Sequence, residues 1–243
     1  MLLQIYISNN NLYDWLYAMK DKDKILDWPL RIKIAIGIAR GIACLLHNYH
    51  FSVVHLSLSL NAIILDQNFD AKISNFGEAI ILKPGGLMFV NSSDNDLSNR
   101  VLDGSGVTEL DFFRKDVYDF GILLFELITG KTPIQIYNYS NHLDGSYIDW
   151  ITCLLTCSSL MCNFIDKSLI VLGFDNDVFQ LLRIAGACIK PLPCQRPTTL
   201  GLYHVISILR KNYGLINNDP EILRQSEIAT ASASKEIVEA ESI

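Results

Sequence analysis

The 243-residue sequence has few cysteines, little basic charge and no long hydrophobic run, and each shortage closes off a class of protein. Six cysteines are too sparse for a disulfide-stapled scaffold. No Cys-x-x-Cys pair occurs, and Cys153, Cys157 and Cys162 recur at helical intervals in an apolar stretch without a neighbouring histidine, so buried free thiols are expected and a metal site is not. Twenty basic side chains against 26 acidic ones leave a net charge of -6, the wrong sign for a nucleic-acid surface. The one dense basic stretch, Lys20-Asp-Lys-Asp-Lys24, alternates with acids and reads as a solvated loop. The greasiest run, Ile122 to Ile128, contains Glu126 and falls far short of the roughly 20 residues of a membrane span. Met1 to Ile7 lacks the basic start and cleavage site of a secretory leader, which predicts a reducing, intracellular setting. What is present is globular: the chain is 50% hydrophobic and 19% charged, enough for a substantial core.

Periodicity organises the chain. Leu2 to Ile7 reads as a strand, and Asn9-Asn-Asn11 offers a cap to a short helix over Leu12-Tyr-Asp-Trp-Leu16. Asp27-Trp28-Pro29 opens a helix running to Leu46, with Asp27 as cap and Pro29 in the first turn. Gly37 and Gly41 on that helix mark close packing by another element. Val53-Val54, Ala62 to Leu65 and Ala71 to Ser74 read as small strands around tight turns. Residues 83–110 are rich in Gly, Ser, Asn and Asp without a period and read as one long loop. From Asp116 helices return: one through Ile128, ended by Thr129-Gly130, then 148–155, 178–189 and 198–213. The tail, residues 214–243, is polar and reads as flexible.

Within this order, Leu12-Tyr-Asp-Trp-Leu16, Leu26-Asp-Trp-Pro-Leu-Arg31, Ala39-Arg-Gly41, Asn75-Phe-Gly77, Asp116-Val-Tyr-Asp-Phe-Gly121 with Glu126-Leu-Ile-Thr-Gly130, and Cys194-Gln-Arg-Pro197 follow one another at characteristic spacings. Together they resemble the C-terminal lobe of a eukaryotic protein kinase, most closely a plant receptor-like kinase. The sequence is also similar to the inactive leucine-rich-repeat receptor-like kinases, pseudokinases that regulate partner receptors. The resemblance implies an α+β, mainly α-helical fold: a protein-kinase-like C-terminal lobe over residues 1–213, without the N-terminal lobe, followed by the tail.

Catalysis in that family needs a base beside the substrate hydroxyl, magnesium ions on the ATP phosphates and a lysine gripping them. The family carries the base and one metal ligand in His-Arg-Asp-Leu-x-x-x-Asn and a second ligand in Asp-Phe-Gly. Here the first run is His55-Leu-Ser-Leu-Ser-Leu-Asn-Ala62, so the resemblance puts the arginine on Leu56, the base on Ser57 and the metal-binding asparagine on Ala62. Asn61 lies one place early and is not expected to substitute. Asn75 stands at the aspartate of Asp-Phe-Gly, and an amide offers a neutral oxygen where a hard dication wants a carboxylate. A serine hydroxyl is no base near neutral pH, and loss of general-base catalysis alone costs on the order of 10²- to 10⁴-fold. The family's glycine-rich loop and lysine strand would precede Leu2. Gly104-Ser-Gly106 is no phosphate cradle, because Glu109 stands where the third glycine belongs. No catalytic residue, ATP, cofactor or metal is expected.

The residues expected to survive are structural. The resemblance implies that Asp116 holds the turn at His55 to Ser57 through its backbone, that Phe76 and Gly77 keep packing and turn roles, and that Arg196 is a buried ion-pair partner. The family's Ala-Pro-Glu acid is missing, so Arg196 is expected to take Glu109 or another acid, or to be solvated. His55 reads as a core histidine with a satisfied ring. The expected function is that of an inactive receptor-kinase-like fragment, regulating or scaffolding a protein partner such as an active receptor kinase, and reaching the inner face of the plasma membrane through it. Residues 84–110, with Ser92, Ser93 and Ser98 near Asp94 and Asp96, could serve as contact surface or phosphorylation target. The alternatives are an active serine/threonine kinase with atypical ATP use and a non-functional truncated product.

Overall fold

The computed structural model describes residues 9–18, 26–47, 51–83, 86–89, 109–132, 135, 164–170 and 175–210. The expected strand at Leu2 to Ile7, the helix at 148–155, the serines of the long loop and the tail lie outside them.

Strand β1 (Asn9–Asn11) leads into a short π-type helical segment, Asp14–Ala18. The Asn11 side chain caps it, Oδ1 accepting from the Asp14 amide at 2.9 Å. Helix α1 (Trp28–Leu46) starts as its sequence dictates: Asp27 is extended, and its Oδ1 accepts from the Leu30 amide at 3.0 Å. Ile32, Ala35, Ile38, Ala39 and Ile42 bury its inner face, and Ile34 buries a second side. Two antiparallel sheets follow. One has the order β1-β3-β4, with β3 at Ile63–Leu65 and β4 at Ala71–Ile73. The other has the order β2-β5-β6, with β2 at Ser52–Val54, β5 at Ile80–Lys83 and β6 at Gly86–Phe89. Strand β4 lies on α1 over the two glycines: a Cβ on Gly37 would come 3.2 Å from Ala71 Cβ, and one on Gly41 2.6 Å from Ile73 Cδ1.

Helix α2 (Glu109–Thr129) runs through the main apolar cluster, burying Phe120, Leu124, Phe125 and Ile128. It is followed by α3 (Lys167–Ile170), α4 (Asp175–Cys188) and α5 (Thr199–Arg210), the last packed along α1. The fold is therefore mainly helical with small sheets, as the sequence implied.

The long loop expected over 83–110 is corrected at both ends. Its start pairs as two antiparallel strands, β5 and β6, Ile80 opposite Phe89 and Lys83 opposite Gly86. At its far end, α2 begins at Glu109, ahead of the expected Asp116, because Phe112 packs on Val54 and Ile80 and gives that extension its own small core.

Candidate functional site

The site assembles where the loop after β2 meets α2. Two carboxylate oxygens of Asp116 face two successive main-chain amides: Oδ2 accepts from His55 and Oδ1 from Leu56, each at 2.7 Å. Asp116 is 5% exposed, and burial pushes its carboxyl up to about 6, the His55 and Leu56 amides pulling the other way. The clamp holds a costly backbone. Leu56 sits at φ 64, a left-handed conformation that costs a non-glycine residue roughly 1–2 kcal/mol.

The fully buried His55 ring spans to the next loop. Its Nε2 donates to the Ser74 carbonyl at 2.7 Å, and its Nδ1 faces the Ser57 amide at 3.4 Å, so the ring carries its proton on Nε2. Ser57 thus enters the arrangement through its backbone. Ala62, on the 3-10 turn Leu60–Ala62, is fully buried, and its carbonyl accepts from the Ser74 amide at 2.8 Å and the Ser74 hydroxyl at 3.0 Å. Asn61 is exposed. Asn75 is exposed in the left-handed region, φ 65 and ψ 52, which its short polar side chain tolerates better than most. Phe76 meets the His55 ring edge to face, 4.9 Å between centroids. Gly77 is not required by packing, since a Cβ there would meet nothing within 4 Å.

Arg196 lies half-buried in the segment between α4 and α5. It donates to three main-chain carbonyls, Lys190 at 2.8 Å, Arg114 at 2.9 Å and Pro191 at 3.2 Å, and lies over the Tyr118 ring at 4.9 Å. Arg114 returns the contact, its Nη1 donating to the carbonyls of Arg196 and Pro197. Asp119 and Asp111 act on Arg196 through their charge. A planar fork with five donors can spread over several main-chain carbonyls at once.

Two further residues carry structure that the sequence reading had left without a role. Arg31, 2% exposed, donates to the Leu26 carbonyl at 2.7 Å, the Leu127 carbonyl at 2.6 Å and Asp166 Oδ2 at 2.7 Å. Asp119, inside the motif that begins at Asp116, pairs with Lys115 at 2.5 Å. Asp116 is therefore committed to amides and Asp119 to a lysine. Among the described residues no group of three or more His, Cys, Asp or Glu side chains could hold a metal ion, and no helix is long and apolar enough to cross a membrane.

Comparison with known proteins agrees with this arrangement. A profile described as protein tyrosine and serine/threonine kinase matches residues 1–150. A leucine-rich repeat receptor-like protein kinase of Arabidopsis thaliana, whose name describes it with a qualification as inactive, is 34% identical over 98% of this chain and 40% of its own length. An Arabidopsis thaliana receptor kinase with a similarly qualified name is 31% identical over 88% of this chain and 36% of its own length. The solved structure of the pseudokinase domain of BIR2, described as an immune regulator of the RLK/Pelle family, aligns with a TM-score of 0.62 at 25% identity, covering 87% of this chain and 60% of that one. The chain spans about two fifths of the length of these two curated relatives.

Proposed function

Because the chain belongs to the protein tyrosine and serine/threonine kinase family, we propose that it is a catalytically inactive member, a pseudokinase domain that regulates or scaffolds a protein partner in receptor-kinase signalling. The observation that carries this reading is the state of the loop after β2. The backbone of a kinase catalytic loop is held by Asp116, while the positions that would do chemistry carry Leu56, Ser57 and Ala62.

These residues do not fit a magnesium-bound nucleotide. Ala62 presents a methyl group, fully buried, where a metal-binding amide would be needed. Asn75 offers a neutral amide in place of a carboxylate, and Ser57 offers no base. No step of phosphoryl transfer is derived for them. The qualified names of the two Arabidopsis relatives and the pseudokinase structure of BIR2 support the same reading.

The expected partner is the cytoplasmic domain of an active receptor kinase, which would bring the chain to the inner face of the plasma membrane. The test has two arms. Purified chain incubated with radiolabelled ATP and magnesium or manganese should transfer no label to an acceptor peptide, and micromolar ATP should leave its melting temperature unchanged. Label transfer, or stabilisation that depends on the metal, refutes inactivity. Pull-down by an active receptor kinase domain no stronger than by an unrelated domain refutes the partner.

A further inference from the structure

We infer that the cavity between the end of α1, the first turns of α2 and the start of α5 is a binding site for a neutral, apolar small molecule built on a single ring. This rests on the shape and chemistry of the cavity and stands whether or not the chain is catalytically inactive. The cavity has a volume of about 170 Å³ and is partly open to solvent. A closed cavity of about 150 Å³ lined by Leu, Ile and Phe side chains holds benzene, so this volume admits one ring with a small substituent and is too small for a nucleotide. Leu46 from α1 and Phe113 and Val117 from α2 form its apolar wall, and the Phe113 ring can stack on an aromatic guest.

The other wall residues are polar, but their polar atoms bond within the protein. His47, at the end of α1, and Thr199, at the start of α5, meet at 3.1 Å between Nε2 and Oγ1. Thr198 Oγ1 accepts from the Gly201 amide at 3.1 Å. Arg114 Nη1 is drawn away to the carbonyls of Arg196 and Pro197. Burial holds the His47 ring below its ordinary value, which leaves it neutral at pH 7. The surface offered to a guest is therefore overwhelmingly carbon, and an ionised guest would give up its hydration for it. Occupancy also bears on the loop after β2. Leu46 and Phe113 pack, together with Leu56 of that loop, against the small core of Val54, Ile80 and Phe112, and a ring seated beside them extends that core.

Methyl-resolved NMR titration of the full chain tests this, with toluene as one probe and benzoate, the same ring carrying an ionised carboxylate, as the other. Millimolar toluene should move the Leu46, Val117 and Thr199 methyl signals along one saturable curve, and benzoate should bind about tenfold more weakly or worse. Leu46→Trp puts a larger side chain on the α1 wall and should weaken toluene by about tenfold or more. Val117→Ile adds a single carbon to the α2 wall and is the variant to rely on should tryptophan fail to fold; it should weaken toluene by about threefold or more. No saturable change with toluene up to its solubility limit overturns the site, as does an unchanged toluene affinity in the variants that fold. Benzoate binding as tightly as toluene overturns the neutral class of guest.

Discussion

Glu126→Gln should change the stability of the chain with opposite signs at high and low pH. Glu126 sits within α2, 9% exposed, and its Oε1 accepts from the Tyr17 hydroxyl at 3.1 Å. Burial pushes its carboxyl up from 4.5 to about 7, with the Tyr17 hydroxyl pulling downward. A folded-state value above the unfolded one means that the folded chain holds the proton more tightly. The ionised group therefore costs stability above pH 7, and the cost disappears as pH falls through 7 towards 4.5. At about 1.36 kcal/mol per pH unit the full cost is about 3 kcal/mol. Glutamine removes the charge and keeps an acceptor for Tyr17, but leaves a buried NH₂ group, at a penalty of about 1 kcal/mol. The net expectation is stabilisation by about 2 kcal/mol at pH 8 and destabilisation by about 1 kcal/mol at pH 4. Urea unfolding reads both, and with a slope of about 2–3 kcal/mol per molar the midpoint at pH 8 should rise by about 1 M. The difference between the two proteins isolates Glu126 from Asp116 and Asp119, whose carboxyls burial also raises. A glutamine variant less stable than wild type at pH 8, or a difference that does not vary with pH, refutes the reasoning.

Two other substitutions probe the packing that positions the site. Arg31→Met removes the donors to the Leu26 and Leu127 carbonyls and the partner of Asp166, and should cost about 3–5 kcal/mol in urea unfolding, with Arg31→Lys recovering only part because an ammonium cannot fork between three acceptors. Gly121→Ala would place a Cβ 2.7 Å from Cys188 Cβ and Ile189 Cγ2 and 3.1 Å from the Ala185 carbonyl, forcing α2 away from α4; a cost of about 1–3 kcal/mol should lower the melting temperature by at least about 3 °C, and an unchanged melt would contradict that close approach.

The parts of the fold that could be read from the sequence are those decided by neighbours in the chain. The start of α1 follows from Asp27 and Pro29, and the small strands from runs such as Ile63-Ile-Leu65. The paired glycines on α1 announced a close neighbour, and β4 supplies it. The parts that escaped are decided by partners distant in sequence. Glu109 to Lys115 is polar enough to pass for loop, and it becomes helix because Phe112 finds Val54 and Ile80. Arg31 and Asp166 are 135 positions apart, and no local pattern joins them. Asp119 was hidden inside a motif whose first residue drew the attention. For Arg196 the acceptors are main-chain carbonyls, which no residue type in a sequence advertises.

That last point explains how this architecture tolerates altered chemistry. The side chains that tie the site together act on the main chain: Asp116 on two amides, His55 on the Ser74 carbonyl, Arg31 on two carbonyls and Arg196 on three. Every loop residue except proline offers the same amide and carbonyl whatever its side chain. The residues in place of the family's chemistry, Leu56, Ser57 and Ala62, meet this network only through backbone atoms. Substitutions there change what a ligand would encounter and leave the scaffold's own bonds unaltered, so selection on catalysis and selection on the fold act on separate atoms. The converse follows directly: Asp116→Asn must disturb the loop even with no chemistry at stake, because one of its two amides then faces an NH₂ group instead of an acceptor.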